Sequence, residues 1–235
     1  MSEPLVACMM LVSGNRPEML ARAVRSYNAQ TYSRRILVSW PGDGGLSVGT
    51  YRNEANAAAK LEGADIICHF DDDDLSHANR VAEQVALLES SGADAVGYRE
   101  VMFWRTPAER DRAAFAELAA RGGFDANAGQ AWLFTHPQQN WCHGASLCYW
   151  RSSWERKPFP DLMQGEDLVW QAGLKRAAAS AMVGPQMAWE LLDCEPRLIC
   201  GLHGANTSAR IVAGAPEWLR VADWDARVRA IMETK

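Results

Sequence analysis

Three short apolar runs punctuate the first third of the chain. Leu5 to Val12 (LVACMMLV), Ile36 to Trp40 (ILVSW) and Ile66 to Phe70 (IICHF) are rich in β-branched, aromatic and other apolar residues. That is the profile of buried strands. The segments between them carry apolar residues at helical spacing. Met19, Leu20, Ala23, Val24 and Tyr27 mark a helix with Pro17 in its first turn, ending near Gln30-Thr31-Tyr32. A second helix is predicted from Thr50 to Leu61, closed by Gly63. The βαβαβα order, with connections of ordinary length, predicts right-handed crossovers and a parallel sheet.

Further along the pattern is less regular. Ala93 to Trp104 reads as one strand, and the Ala- and Arg-rich stretch Pro107 to Arg121 as a surface helix ended by Gly122-Gly123. Ala131 to Thr135 and Ala145 to Tyr149 read as short strands around the polar loop His136 to Gly144. An irregular stretch from Pro158 to Gly165 delivers Glu166-Asp167 to a helix bearing Leu168, Trp170 and Leu174. Pro196 to Leu202 is a last strand. Trp218, Leu219, Val221, Trp224, Val228 and Ile231 predict a tail helix over Pro216 to Met232.

The third strand runs into four carboxylates, Asp71 to Asp74, and Ser76 then reads as the N-cap of a helix through Val81, Val85 and Leu88. The acids therefore fall where a strand of an α/β sheet ends, the usual ligand-binding edge. Alternation along an extended chain points Asp71 and Asp73 one way and Asp72 the other. Adjacent carboxylates raise one another's pKa unless a cation compensates. Oxygen-only ligands suit Mg²⁺ or Mn²⁺. A solvated acidic turn is the plainer alternative. An EF-hand loop fits poorly, because Ser76 stands where that loop needs Gly.

With 235 residues, 48% of them hydrophobic and 23% charged, the chain has the size and composition of one large soluble α/β domain. A net charge of -5 argues against general binding to nucleic acid or anionic membranes. No run is long and apolar enough to span a bilayer and no signal peptide is evident, so a cytoplasmic protein is expected. The six Cys (Cys8, Cys68, Cys142, Cys148, Cys194 and Cys200) lack CxxC spacing and read as free thiols. A zinc site built from them with His143 and His203 matches no recognised spacing. Neither GxGxxG nor GxxxxGK[ST] occurs, so any nucleotide must be held by another device. Ten Trp, several in polar segments, suit stacking on sugars or bases.

Taken in order, several motifs resemble the family 2 glycosyltransferases, inverting enzymes of GT-A fold. The first strand with Asn15-Arg16-Pro17 and Gln30-Thr31-Tyr32 is similar to that family's opening. Arg52-Asn53 with Ala59 resembles its "RN…A" helix, and Phe70-Asp71-Asp72-Asp73-Asp74 its "LDxDD" segment containing the DxD motif. Gly165-Glu166-Asp167 resembles its "(G/T)ED" motif, and His203 to Ser208 its late "HxxN(x)S" segment. The resemblance covers roughly Leu5 to Arg210. One departure concerns the turn after the second strand, usually Asp-Asp-Gly-Ser. Here it is Trp40-Pro41-Gly42-Asp43-Gly44-Gly45, leaving Asp43 as the candidate base contact.

The resemblance implies a single GT-A domain over 1–235, an α/β fold whose mixed, mostly parallel sheet is flanked by helices. Its nucleotide-binding half spans about 1–104 and its acceptor half about 105–215, with a terminal helix over about 216–235. The implied activity is metal-dependent, inverting transfer from a nucleoside diphosphate sugar, a UDP-sugar foremost, to an acceptor hydroxyl on a glycan or other macromolecule. Asp71 and Asp73 with His203 would hold Mn²⁺ or Mg²⁺, and Asp71, Asp72, Asp73, Asp43, Arg52 and Arg16 would face the donor. Asp167 would be the base, with Glu166 and Asp161 as lesser alternatives. Trp132, Trp141, His143 and Trp150 would border the acceptor. Since aromatic planes also stack bases, a nucleic-acid acceptor stays open. The rival readings are a non-catalytic nucleotide-sugar binding module and a metal-dependent nucleotidyl- or phosphotransferase.

Overall fold

The computed structural model describes residues 3–14, 16–42, 44–105, 130–137, 141–174, 196–202, 215–221 and 224–234. The first half alternates as its pattern dictates: β1 (Val6–Val12), α1 (Pro17–Asn28), β2 (Arg35–Pro41), α2 (Val48–Leu61) and β3 (Ile66–Asp71). β1 pairs in parallel with β2 and with β3. The strands are apolar on both faces because helices cover both. Val6, Cys8 and Met10 pack with Ile66, Cys68 and Phe70 in one core, joined by Ala23 of α1. Ala7, Met9 and Ile67 point the other way, onto Ala55 and Ala59 of α2. Fully burying a Met or Ile side chain contributes about 1.5–3 kcal/mol, so β1 and β3 anchor the molecule.

The α/β class expected from the sequence holds, and the strands divide between two mixed sheets. The first has the order β2-β1-β3-β8-β5, in which β8 (Cys148–Trp150) runs antiparallel to β3 and to β5 (Ala95–Val96). The second has the order β10-β7-β6-β9-β4. Its members are β4 (Leu75–Ser76), β6 (Glu100–Arg105), β7 (Gln130–Thr135), β9 (Leu198–Leu202) and β10 (Trp218–Arg220). The helices α3 (Arg80–Ser91), α4 (Arg151–Arg156), α5 (Glu166–Ala172) and α6 (Asp225–Thr234) complete the described elements.

Four expectations are corrected. Ser76 is not an N-cap: it pairs with Leu198 in the second sheet, its hydroxyl accepts from Arg80 Nη1 at 2.8 Å, and α3 starts after Asn79. Ala93 to Trp104 is two strands, because the chain leaves the first sheet after Val96 and enters the second at Glu100. Ala145-Ser146 belongs to a 3-10 turn (Gly144–Ser146) preceding β8. The tail begins as strand β10, and its helix starts only at Asp225, whose carboxylate accepts from Ala131 N at 2.8 Å. The predicted helix 107–121 lies outside the described residues.

Candidate active site

β3 ends at Asp71, and the chain turns at once. Residues 72–73 are a turn rather than extended backbone, so the alternation predicted for the acids stops there. Asp72 and Asp73 instead share one partner. Arg16, just before α1, gives Nη2 to Asp72 at 2.8 Å and Nη1 to Asp73 at 2.6 Å. Asp72 also accepts from Ser13 N at 2.8 Å, and Asp74 accepts from Gly201 N at 2.9 Å. The turn is thus bolted to the end of β1 and to β9. At Gly201 a Cβ would stand 2.6 Å from the Asp73 carbonyl, so this close approach requires glycine.

Burial raises the proton affinity of three of these acids. Burial, above all, raises the Asp71 pKa, helped by the charge on Asp73 and opposed by Arg52. Burial pushes Asp72 up to about 6 against the Ser13 amide and Arg16, and Asp74 rises well above the ordinary carboxylate range.

A second acidic feature is delivered by α2. Asn53 Nδ2 donates to the Phe159 carbonyl, and the Phe159 amide donates back to Asn53 Oδ1, each at 2.9 Å. Gly49 N donates to Leu162 O at 3.1 Å. Together these lay the irregular stretch 158–165 along α2, with Gly165 at φ 76° turning the chain into α5. Arg52, buried beside Asn53, donates through Nε to Glu166 at 3.0 Å. The N-cap of α5 is Gly165, and both acids lie in the helix's first turn. Glu166 is the buried, paired one, whereas Asp167 is half-buried.

Asp167 lies over Gly144, where a Cβ would come within 2.3 Å of its Oδ2. Two devices hold that backbone. Arg80, fully buried, donates through Nη2 to His69 O at 2.8 Å and to Ala145 O at 3.0 Å, tying β3 to the 3-10 turn. Gln171 of α5 clamps both backbone groups of Cys142, each at 3.0 Å. His69 lies beneath, on the same face of β3 as Asp71. Its Nδ1 is 2.8 Å from Arg52 Nη1 and 2.8 Å from Gly144 O, and the tautomer decides which contact is a hydrogen bond. Burial and Arg52 hold its pKa far below the ordinary value, so the ring is neutral.

These features surround one cleft of about 450 Å³. Of the residues proposed from sequence, Arg16, Arg52, Asp71, Asp72, Asp73, His143, Glu166 and Asp167 line it. Asp43 and His203 lie outside the described residues. Asp161 stands apart: it accepts from Thr50 Oγ1 at 2.9 Å and from Ser47, the N-cap of α2. Those bonds lower its pKa and make it a structural acid.

The predicted aromatic border is largely corrected. Trp132 is in the core and Trp150 pairs with Ile66, at the end of β3 away from the acids. Trp141 stacks near His136, ring centroids 6.0 Å apart, and is not among the lining residues. Phe103, Phe134 and Trp218 line the cleft instead. Sequence spacing hid Trp218 inside a helical pattern. Among the described residues no group of three or more His, Cys, Asp or Glu is arranged to hold a metal, and the five described Cys are buried free thiols. No described helix is long and apolar enough to cross a membrane.

No protein-family model matches the chain, and no curated protein matches it. Among solved structures it is similar to A197 from STIV, at 13% identity and a TM-score of 0.43, covering 85% of this chain and 82% of that one. It is also similar to S. aureus TarS, at 11% identity and a TM-score of 0.47, covering 85% of this chain and 35% of TarS. A shorter form, TarS 1-349, gives 9% identity and a TM-score of 0.46, with 85% and 58% covered. At such identities and scores these overlaps say nothing about chemistry, which rests on the cleft.

Proposed function

We propose that the chain is an inverting glycosyltransferase of GT-A type, acting on a nucleoside diphosphate sugar, with a UDP-sugar the first choice. The observation that carries this reading is one cleft bringing an acidic strand end together with an unpaired carboxylate at a helix start. The donor half is 1–104 and the acceptor half 105–215.

Six carboxylates (Asp71 to Asp74, Glu166 and Asp167) line the cleft against two guanidiniums, Arg16 and Arg52. Burial and mutual repulsion raise the pKa of Asp71 and Asp74. Oxygen-only donors are the chemistry a hard divalent cation takes, although the described residues by themselves present no group of three placed to hold one. Asp73 and Asp71 would hold it, with His203, which lies outside the described residues, as the third ligand. The chemistry such a Mn²⁺ or Mg²⁺ would supply is charge neutralisation of the leaving diphosphate. Asp167 accepts the proton of the acceptor hydroxyl as its oxygen bonds to the anomeric carbon and the bond to the diphosphate breaks. Glu166 is excluded from that role by its ion pair with Arg52. It fixes the start of α5 and so the position of Asp167.

The test is thermal stability with UDP, GDP, dTDP, ADP or CMP, each in Mn²⁺ or EDTA. One diphosphate should raise the melting temperature in Mn²⁺ and lose that effect in EDTA. No shift with any nucleotide overturns the reading.

A further inference from the structure

The part of the cleft supplied by the second sheet is aromatic. Trp218 of β10 pairs in register with Phe134 of β7, and Phe103 of β6 is a diagonal neighbour of Phe134. Their side chains therefore share one face of the sheet. The rings form a continuous group with His143: Trp218 to Phe134 is 4.8 Å between centroids, Trp218 to Phe103 is 5.0 Å, and Phe103 to His143 is 5.4 Å. Trp218 is only half-buried and lines the cleft. His143 Nδ1 is buried and has no hydrogen-bond partner. A buried polar atom without a partner costs about 1–3 kcal/mol, so a ligand donor or acceptor there would be favoured.

Charge narrows the ligand further. Both lining arginines are already ion-paired, Arg16 to Asp72 and Asp73 and Arg52 to Glu166. No Lys is among the lining residues, and three of the six lining carboxylates, Asp71, Asp74 and Asp167, stand outside those ion pairs. An acceptor bearing phosphate, such as a nucleic acid or a phospholipid, would meet net repulsion. The donor diphosphate escapes this because it brings its own cation. A neutral pyranose suits the wall: one face presents C–H groups that pack on an aromatic plane, and its rim of hydroxyls reaches polar groups.

We propose that Trp218 is a stacking platform for an uncharged pyranoside acceptor, and that His143 Nδ1 hydrogen-bonds one of its hydroxyls. The acceptor role rests on the glycosyl-transfer reading; the stacking site does not. Burial lowers the His143 pKa to about 4, so near neutrality the ring both donates and accepts.

The experiment is saturation-transfer NMR on the full chain with methyl β-D-glucopyranoside and methyl α-D-mannopyranoside, against glycerol phosphate and a short oligothymidylate in EDTA. Both neutral glycosides are expected to bind through one ring face, with saturation strongest on the C–H groups of that face. Trp218→Ala should weaken them roughly five- to tenfold, the scale of one aromatic contact, and Trp218→Phe by about twofold at most. The proposal is overturned if neither glycoside binds, if saturation is even around the ring, if Trp218→Ala changes nothing, or if the phosphate probes bind equally well. Because the ring-face pattern is read on the unaltered protein, a poorly folded Trp218→Ala leaves the test intact. UDP with Mn²⁺, run on the same samples, separates the two ideas. Nucleotide binding without glycoside binding sinks the acceptor platform alone. Trp218-dependent glycoside binding with no nucleotide binding keeps the platform and sinks glycosyl transfer.

Discussion

Arg16 and Arg52 both stand in the cleft and both neutralise carboxylates, but the two regions are built differently. Arg16 divides its Nη atoms between Asp72 and Asp73, and among the described residues Asp71 and Asp74 have no direct ion pair. Arg52 gives its Nε to Glu166 alone and is backed by His69 and the Phe159 ring, 6.0 Å from its guanidinium carbon. The first arrangement leaves charge over, so a proton or a metal ion can do the work of the arginine. The second is closed. Two acids adjacent in sequence, Glu166 and Asp167, acquire different roles because the closed arrangement takes one and leaves the other facing the cleft.

The sharpest way to break that contrast is to exchange the two acids' chemistry. Asp167→Asn should lower kcat by roughly 10³–10⁴-fold, at the upper end of what a general base contributes. The nucleotide-dependent melting shift should persist. Glu166→Gln should act mainly on stability and leave measurable transfer. If both variants lose activity equally while remaining folded, the division of labour is wrong. Next comes the pair of arginines. Arg52→Met strands a buried carboxylate and should cost about 3–5 kcal/mol of stability, with no rescue by metal. Arg16→Met also strands buried carboxylates and should cost about 3–5 kcal/mol, but these acids line the cleft and millimolar Mn²⁺ should restore much of the loss. Denaturant titrations with and without Mn²⁺ read both; rescue of Arg52→Met, or no rescue of Arg16→Met, would erase the distinction.

The same contrast marks how far the sequence could be read. β1, β3 and the helices between were legible because strands covered on both faces are apolar throughout, a signal that survives without tertiary information. The acids at the end of β3 were legible for the same reason, since they interrupt such a run. What escaped reading depends on pairing across long separations. Nothing local tells Arg52 that it will meet Glu166, 114 residues away. Trp218, Val221 and Trp224 keep helical spacing, yet Trp218 is drawn into β10 by its register with Phe134. Ser76 has the chemistry of an N-cap, but β9 claims its backbone and Arg80 its hydroxyl. The 93–104 run breaks at Gly97, where a Cβ would lie 2.6 Å from Cys142 Cβ, a contact invisible in the sequence.

The smallest expected effect is in pH dependence, where the two sides of the cleft have opposite signs. Asp72 is raised from 3.8 to about 6, so between those values the folded chain binds more protons than the unfolded one, and this group's contribution to stability falls as pH rises. His143 is lowered from 6.5 to about 4, chiefly by burial and against the pull of Asp167. Over that window the unfolded chain binds more protons, so the His143 contribution rises with pH. His69, also lowered, adds to the same side. In the intact protein the slopes partly cancel. His143→Gln should therefore make the melting temperature relative to wild type most favourable near the acid end of that window. Asp72→Asn should instead gain on wild type as pH rises through about 6. Differential melting curves across the window check both signs. Parallel responses of the two variants would mean that the acid rim and the histidine wall do not titrate as separate regions.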